Sequence, residues 1–275
     1  MADIASPTRG VTCAATLERR EEASPGVFIL EFRLDGGPPV AQPVPGQFYQ
    51  FNCGGGREHM LPRPLSVHGV TRWDDEVAVL KFLVESVGWG TERLCSLEDG
   101  DEVGLLGPLG RGFSLAEDGK ALLVAGGMGI APLFFLASEM DRGDKEYDLL
   151  AGFRSAGQFY RPLSGLKGGV DVYTDDGSLG NRGMVSGGAD GRLEGVVYNA
   201  VYTCGPQAMM TVVAGISEEA GVPCQVSLAS RMGCGIGACR SCVIEGRGAE
   251  NLCVCSDGPV FESYKVAWTG AGDIE

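Results

Sequence analysis

The sequence predicts a multidomain α+β protein: a small antiparallel β-barrel, then a parallel α/β unit, then a short cysteine-rich segment. Three observations carry this expectation. Over residues 1–115, short and partly alternating apolar runs recur between glycines and prolines, as in Val77-Ala-Val-Leu-Lys-Phe-Leu-Val84. After Lys120 the pattern becomes a continuous apolar run, Ala121-Leu-Leu-Val-Ala125, followed by a glycine turn and a helical stretch. Five of the 10 cysteines then fall between residues 234 and 255. Alternation marks strands with one buried face, and an unbroken apolar run marks a strand buried on both.

Bulk composition agrees. A chain of 275 residues exceeds one average domain, and 44% hydrophobic with 21% charged residues describes a globular protein. No apolar run approaches the roughly 20 residues of a membrane helix. Met1 to Thr12 show no basic region followed by an apolar core, so a cytoplasmic location is expected. The net charge of −14, with five lysines, argues against nucleic-acid binding, which needs a basic face. The 44 glycines have no fixed period and belong to turns and close backbone approaches.

In the first segment, strands are expected over Val11 to Leu17, Gly26 to Leu34, Gln47 to Phe51, Leu65 to Val70 and Val77 to Val84, with a short helix over Gly90 to Glu98. Two signals stand out. Arg63-Pro64-Leu65-Ser66, preceded by Gly46-Gln47-Phe48, sets a guanidinium and a hydroxyl beside a proline of fixed φ. Gly88-Trp-Gly90-Thr91 places glycines at the entrance to the short helix, where free N–H groups attract anions. Each is weak alone, since an Arg-Pro pair is commonly a plain strand edge. Together they point to a phosphate.

In the second segment, residues 116–224, strands are expected at Ala121 to Ala125, Tyr147 to Phe153, Val170 to Thr174 and Val196 to Thr203, and a further one at Gln225 to Leu228. Helices are expected over Leu133 to Met140 and Pro206 to Ala220, the latter with Met209, Val212, Val213, Ile216 and Ala220 on one face. Alternating strands and helices imply a parallel sheet, which binds nucleotides at the carboxyl ends of its strands. The turn Gly126-Gly127-Met-Gly129-Ile-Ala-Pro132 occupies such an end but lacks the third glycine of the Rossmann fingerprint. Cys204-Gly205-Pro206 stands at another strand end, and Cys204 reads either as a small buried thiol or as a cofactor contact. Tyr173-Thr-Asp-Asp-Gly-Ser-Leu-Gly180 is equally well a nucleotide-lining loop or a plain Asp-Gly turn. Arg154 and Ser155 leave NAD against NADP open.

The third segment, residues 225–275, is too short for a core of its own. Cys234, Cys239 and Cys242 leave gaps of four and two, and another cysteine follows about a dozen residues on, the plant-type spacing for a [2Fe–2S] cluster. Gly233, Gly235 and Gly237 let the loop wrap an inorganic core. Zinc fits less well, because Cys253-Val-Cys255 has a gap of one where knuckles have two to four. Disulfides would require an oxidising compartment. Cys253 and Cys255 both suit the fourth position by spacing. Cys13, Cys53, Cys95 and Cys224 read as ordinary thiols. His59 and His68 are the only histidines, so a histidine-based site is poorly supported and both read as structural or exposed.

These motifs together carry a resemblance. The Arg63–Ser66 strand, the Gly88–Thr91 turn and the closing Gly107-Pro108-Leu109-Gly110 resemble the flavin domain of the ferredoxin reductase-like superfamily. The resemblance implies that Arg63, Pro64, Leu65 and Ser66 hold FAD and that Gly88, Gly90 and Thr91 contact its pyrophosphate. Gly127, Gly129 and Pro132, with Cys204, Gly205 and Pro206, resemble the two motifs of that superfamily's pyridine-nucleotide domain, implying NAD(H). The cysteine loop with Asp257-Gly-Pro-Val-Phe261 resembles the electron-transfer subunits of type B dihydroorotate dehydrogenases, as does the order of segments. In that family the fourth cysteine stands one residue before Asp-Gly-Pro, which selects Cys255 beside Cys234, Cys239 and Cys242. The resemblance implies hydride transfer from NADH to FAD, single-electron transfer through the cluster, and an FMN-containing catalytic subunit in a heterotetramer serving pyrimidine biosynthesis. Two rivals are a reductase subunit of another complex, such as a ferredoxin:NADP oxidoreductase or hydrogenase module, and a non-enzymatic zinc scaffold.

Overall fold

The computed structural model describes residues 10–36, 41–54, 56, 60–248 and 250–268; His59 lies outside them. The chain opens with β1 (Val11–Ser24), β2 (Val27–Leu34), β3 (Phe48–Asn52), β4 (Arg63–Trp73) and β5 (Ala78–Glu85), then α1 (Trp89–Cys95) and β6 (Glu102–Leu109). These strands close a barrel in the order β1-β2-β5-β4-β3-β6. Five of them contain the apolar runs of the sequence. The sixth, β6, has no such run to betray it, because Gly104, Gly107 and Pro108 interrupt the pattern. It pairs antiparallel with β1 and β3 and removes two open strand edges. Phe32, Phe51 and Phe82 fill the interior edge to face.

Next come β7 (Ala121–Gly126), α2 (Ile130–Arg142), β8 (Tyr147–Phe153), β9 (Gly169–Thr174), β10 (Asn181–Arg182), α3 (Val185–Gly195), β11 (Ala200–Cys204), α4 (Gln207–Glu219) and β12 (Cys224–Ser227). They build a parallel sheet in the order β10-β9-β8-β7-β11-β12. Every residue of β7 is buried, as its unbroken apolar run requires. The strand order reverses between β7 and β11, and there such sheets open a crevice at their carboxyl ends.

Two helices differ from the sequence expectation. The inward face of α4 is Met210, Val213, Ala214 and Ser217, whereas Val212 and Ala220 are exposed. Ser217 can stay inside because its hydroxyl donates to the Val213 carbonyl at 2.6 Å, a bond that apolar periodicity does not reveal. Helix α3 is unmarked in the sequence, because four glycines dilute its pattern. One of them is required by packing: a Cβ on Gly188 would lie 2.3 Å from the Tyr173 ring.

The last segment adds β13 (Val243–Glu245), β14 (Asn251–Cys253), the short helix α5 (Val254–Asp257) and β15 (Val260–Glu262). Strands β13 and β14 form a hairpin, and β15 joins the large sheet antiparallel to β12. One apolar core therefore contains Phe48 and Leu109 of the barrel, Val201 and Val226 of the sheet, and Cys242, Cys253 and Cys255.

Barrel and sheet are also joined through His68, which is buried. Its Nδ1 lies 2.9 Å from the Ala131 carbonyl and its Nε2 lies 2.5 Å from the Tyr160 hydroxyl. A carbonyl can only accept, so Nδ1 carries the proton and Nε2 accepts from Tyr160. Burial lowers the His68 pKa to about 4, so the ring is neutral at pH 7. Because the folded pKa is depressed, the unfolded chain binds the extra proton, and stability is lost as pH falls from 6.5 toward 4. The expected slope is about 1.4 kcal/mol per pH unit in that window. Thermal midpoints at pH 7.5 and 5.5 check this: the wild type is expected to drop further than His68→Gln, which cannot titrate.

Candidate functional site

Arg63 begins β4 opposite Phe51 of β3, and Ser66 stands opposite Phe48. The fold brings Gly88-Trp-Gly90-Thr91 onto this strand, since a Cβ on Gly90 would lie 2.5 Å from Arg63 Nε. Glycine alone leaves room for the guanidinium. Arg63 Nη1 donates to the Leu61 carbonyl at 2.6 Å, which steadies the fork. The Thr91 hydroxyl accepts the amides of Val87 and Gly88 at 3.1 and 3.2 Å and donates to the Gly88 carbonyl at 3.0 Å. Thr91 thus shapes the turn. Pro64 and Leu65 are half-buried between these groups. A fixed guanidinium beside a glycine turn suits a diphosphate.

At the sheet's reversal point two more motifs meet. Cys204 ends β11 in register with Ala125 of β7. A Cβ on Gly129 would lie 2.0 Å from the Cys204 carbonyl oxygen, so the two loops touch backbone to backbone. Gly127 is exposed and adopts a φ of +51°, which presents its backbone without a side chain. Gly205, with a φ of +155°, packs against Gly126 and Met209. Pro132 is buried in the first turn of α2, where a missing N–H has no acceptor to disappoint. Burial pushes the Cys204 thiol up to about 12, so it stays protonated at neutral pH. The Tyr173–Gly180 loop lies at the same end of the sheet and joins the loop after β8: the Asp175 amide donates to the Phe153 carbonyl at 3.1 Å and the Ala156 amide to Ser178 Oγ at 2.7 Å.

The cysteines form two linked pairs. The amides of Ile236 and Cys239 donate to Cys234 Sγ at 3.4 and 3.3 Å. The Gly237 amide donates to Cys255 Sγ at 3.1 Å, and the Cys255 amide to Cys242 Sγ at 3.4 Å. Cys234 therefore goes with Cys239, and Cys242 with Cys255. Among the described residues, no three His, Cys, Asp or Glu side chains gather as the donor set of a single ion. Two pairs linked by amide-to-sulfur bonds suit a binuclear centre, in which each iron takes two thiolates. Gly235 and Gly237, at φ +74° and +80°, turn the amides inward. Cys253 stands apart in β14 opposite Val243, its amide bonded to Asp257 at 2.7 Å. Hydrogen bonding by Ser241, and then by Cys234, lowers the exposed Cys239 thiol to about 6, whereas burial pushes Cys255 up to about 12.

The cysteine loop is seated on the barrel. A Cβ on Gly235 would lie 2.8 Å from Gln50 Cγ and 2.9 Å from Leu109 Cδ1. Gln50 has no motif to announce it; its only signal is a polar residue within the otherwise aromatic run Phe48–Phe51.

Residues 229–267 match the model of the iron–sulfur cluster binding domain of dihydroorotate dehydrogenase B. The chain is 38% identical over 257 residues to the dihydroorotate dehydrogenase B (NAD(+)) electron transfer subunit of Desulforamulus reducens, covering 89% of this chain and 94% of the relative. To that of Geobacillus kaustophilus it is 37% identical, covering 81% and 86%. Among solved structures, an NADH-dependent reduced ferredoxin-NADP oxidoreductase studied for flavin-based electron bifurcation is similar at TM-score 0.79 and 26% identity, covering 98% of this chain and 92% of that one. A ferredoxin reductase in carbazole 1,9a-dioxygenase, at TM-score 0.66 and 21% identity over 78% and 67%, shares the fold.

The packing of Gly129 is directly testable. Gly129→Ala forces a Cβ into the Cys204 carbonyl and is expected to destabilise by about 1–3 kcal/mol. Gly191→Ala in α3 meets nothing within 4 Å and is expected to be neutral or stabilising by up to about 1 kcal/mol. Denaturation of the two variants side by side checks the contrast.

Proposed function

The chain belongs to the family of dihydroorotate dehydrogenase B (NAD(+)) electron transfer subunits, and from that premise we propose how its residues serve the relay. One observation carries the reading: the cysteine loop rests on the outer face of β3, beside the Arg63 strand, so two redox sites share one wall. The chemistry the bound groups would supply is the conversion of the two electrons of one hydride from NADH, taken up at FAD, into single electrons at the [2Fe–2S] cluster.

Arg63, Pro64, Leu65 and Ser66, with Gly88, Gly90 and Thr91, hold the flavin and its pyrophosphate. Gly127, Gly129, Pro132, Cys204, Gly205 and Pro206 shape the nicotinamide-nucleotide crevice, where the neutral Cys204 thiol adds no charge. Cys234, Cys239, Cys242 and Cys255 ligate the irons, and the amides of Ile236, Gly237, Cys239 and Cys255 stabilise the sulfurs. Residues 1–115, 116–224 and 225–275 are assigned to flavin, nucleotide and cluster in turn. The partner is an FMN-containing catalytic subunit that oxidises dihydroorotate, in a heterotetramer of two pairs working in the cytoplasm. Support for a docking face at the loop comes from Ile236, 57% exposed, and the exposed Cys239.

The likeness to the NADH-dependent ferredoxin-NADP oxidoreductase favours a second reading, a subunit of another flavin and iron–sulfur complex. Purification from the native host separates them: an FMN protein that oxidises dihydroorotate supports the first, and a ferredoxin-linked partner the second. A colourless protein containing zinc would defeat both. Ligand identity is tested by serine substitution. Cys239→Ser and Cys255→Ser are expected to lose iron while retaining FAD and NADH-to-flavin reduction; Cys253→Ser is expected to keep both. Iron content and the visible spectrum are the measurements.

A further inference from the structure

Gln50 is 2% exposed, and neither its Nε2 nor its Oε1 has a hydrogen-bond partner. A buried polar group left unpaired is destabilising. An apolar residue would suit the polypeptide better at this position, so the carboxamide calls for a partner outside it. Strand alternation identifies the direction. Tyr49 and Phe51 point into the barrel core, and Phe48 packs in the outer core with the cysteine segment, so Gln50 shares that outer face. On this face a Cβ on Gly235 would lie 3.1 Å from Gln50 Nε2. Gly235 directly follows Cys234 and has a φ of +74°, so both its bareness and its backbone turn bring the loop onto the amide. Along the ladder Gln50 stands opposite Pro64 of the flavin strand.

We propose that the Gln50 carboxamide donates an Nε2–H hydrogen bond to a sulfur of the cluster at its Cys234 side, and so raises the reduction potential of the iron–sulfur centre. The proposal rests on the cluster reading above. Reduction adds one electron to the centre and increases the negative charge on its sulfurs, so a donor stabilises the reduced form more than the oxidised one. Gln50 is here a positioning and tuning residue, distinct from the four ligands.

The test uses the flavin- and iron-loaded protein and follows both centres in a redox titration, the cluster by EPR and the flavin by absorbance. Gln50→Met keeps the length and loses the donor. It is expected to lower the cluster's reduction equilibrium constant about tenfold, equivalent to 59 mV for a one-electron couple, with the flavin potential unchanged. Gln50→His, which keeps an N–H, is expected to recover most of the shift. A fully loaded Gln50→Met with a wild-type cluster potential overturns the proposal, as does a shift confined to the flavin. If Gln50→Met fails to hold iron, the wild type decides: with side-chain ¹⁵N-glutamine, the reduced cluster is expected to show a nitrogen hyperfine coupling, and its absence overturns the proposal. Wild-type protein without iron refutes the cluster reading itself, a separate outcome.

Discussion

The antiparallel pairing of β15 with β12 is the constraint on which the arrangement of sites depends. Gln225 opposes Glu262, Val226 opposes Phe261 and Ser227 opposes Val260. The same segment is bound to the barrel exit, where the Arg111 amide donates to the Gly258 carbonyl at 2.6 Å. A Cβ on Gly110 would lie 2.5 Å from Pro259 Cδ, so the contact is close. A piece of chain too short to bury its own core is thus clamped between two larger bodies. With its end held there, the cysteine loop lies against the outer face of β3 and β6.

Glycine does the spacing at each site. Gly90 admits the Arg63 guanidinium, Gly129 admits the Cys204 carbonyl, and Gly235 admits Gln50. These are approaches a Cβ would prevent, and they join motifs separated by 27, 75 and 185 residues in the numbering. The chain accordingly positions groups by removing side chains as much as by adding them. The polar groups that remain near these contacts are mostly committed: Thr91 to its turn, His68 to Ala131 and Tyr160. Among the described residues, Gln50 is unpaired at both polar atoms, and the Tyr49 hydroxyl and Arg111 Nε are also without a hydrogen-bond partner.

Two titratable side chains near the sites carry no charge at neutral pH. His68 is buried and neutral, and Cys204 stays protonated. The buried Asp148 accepts Tyr198 at 2.6 Å and pairs with Lys120 at 2.7 Å, as part of a structural network. This suits a protein whose cofactors carry the chemistry and whose residues supply binding, orientation and potential. Ile236 of the cysteine loop is an exposed apolar residue on a chain of net charge −14.

The barrel strands with clear alternation, the buried run of β7, the glycine turns and the cysteine spacing were legible in the sequence, because each is a local pattern imposed by local geometry. Strand β6 and helix α3 were not, since glycine and proline erase the periodicity by which such elements are read. Nor was the inward face of α4, where a hydroxyl satisfied within the helix replaces an apolar side chain. By itself the sequence determined the local patterns: an arginine and a glycine turn in the first segment, a glycine turn at a strand end, and thiols at cluster spacing. Only the tertiary structure decided that Arg63 meets Gly90, that the Gly237 amide reaches Cys255 Sγ, and that Gln50 lies beneath Gly235. Those are contacts between distant segments, fixed by barrel closure and by β12–β15 pairing, and no local pattern encodes which bare glycine a given side chain will reach.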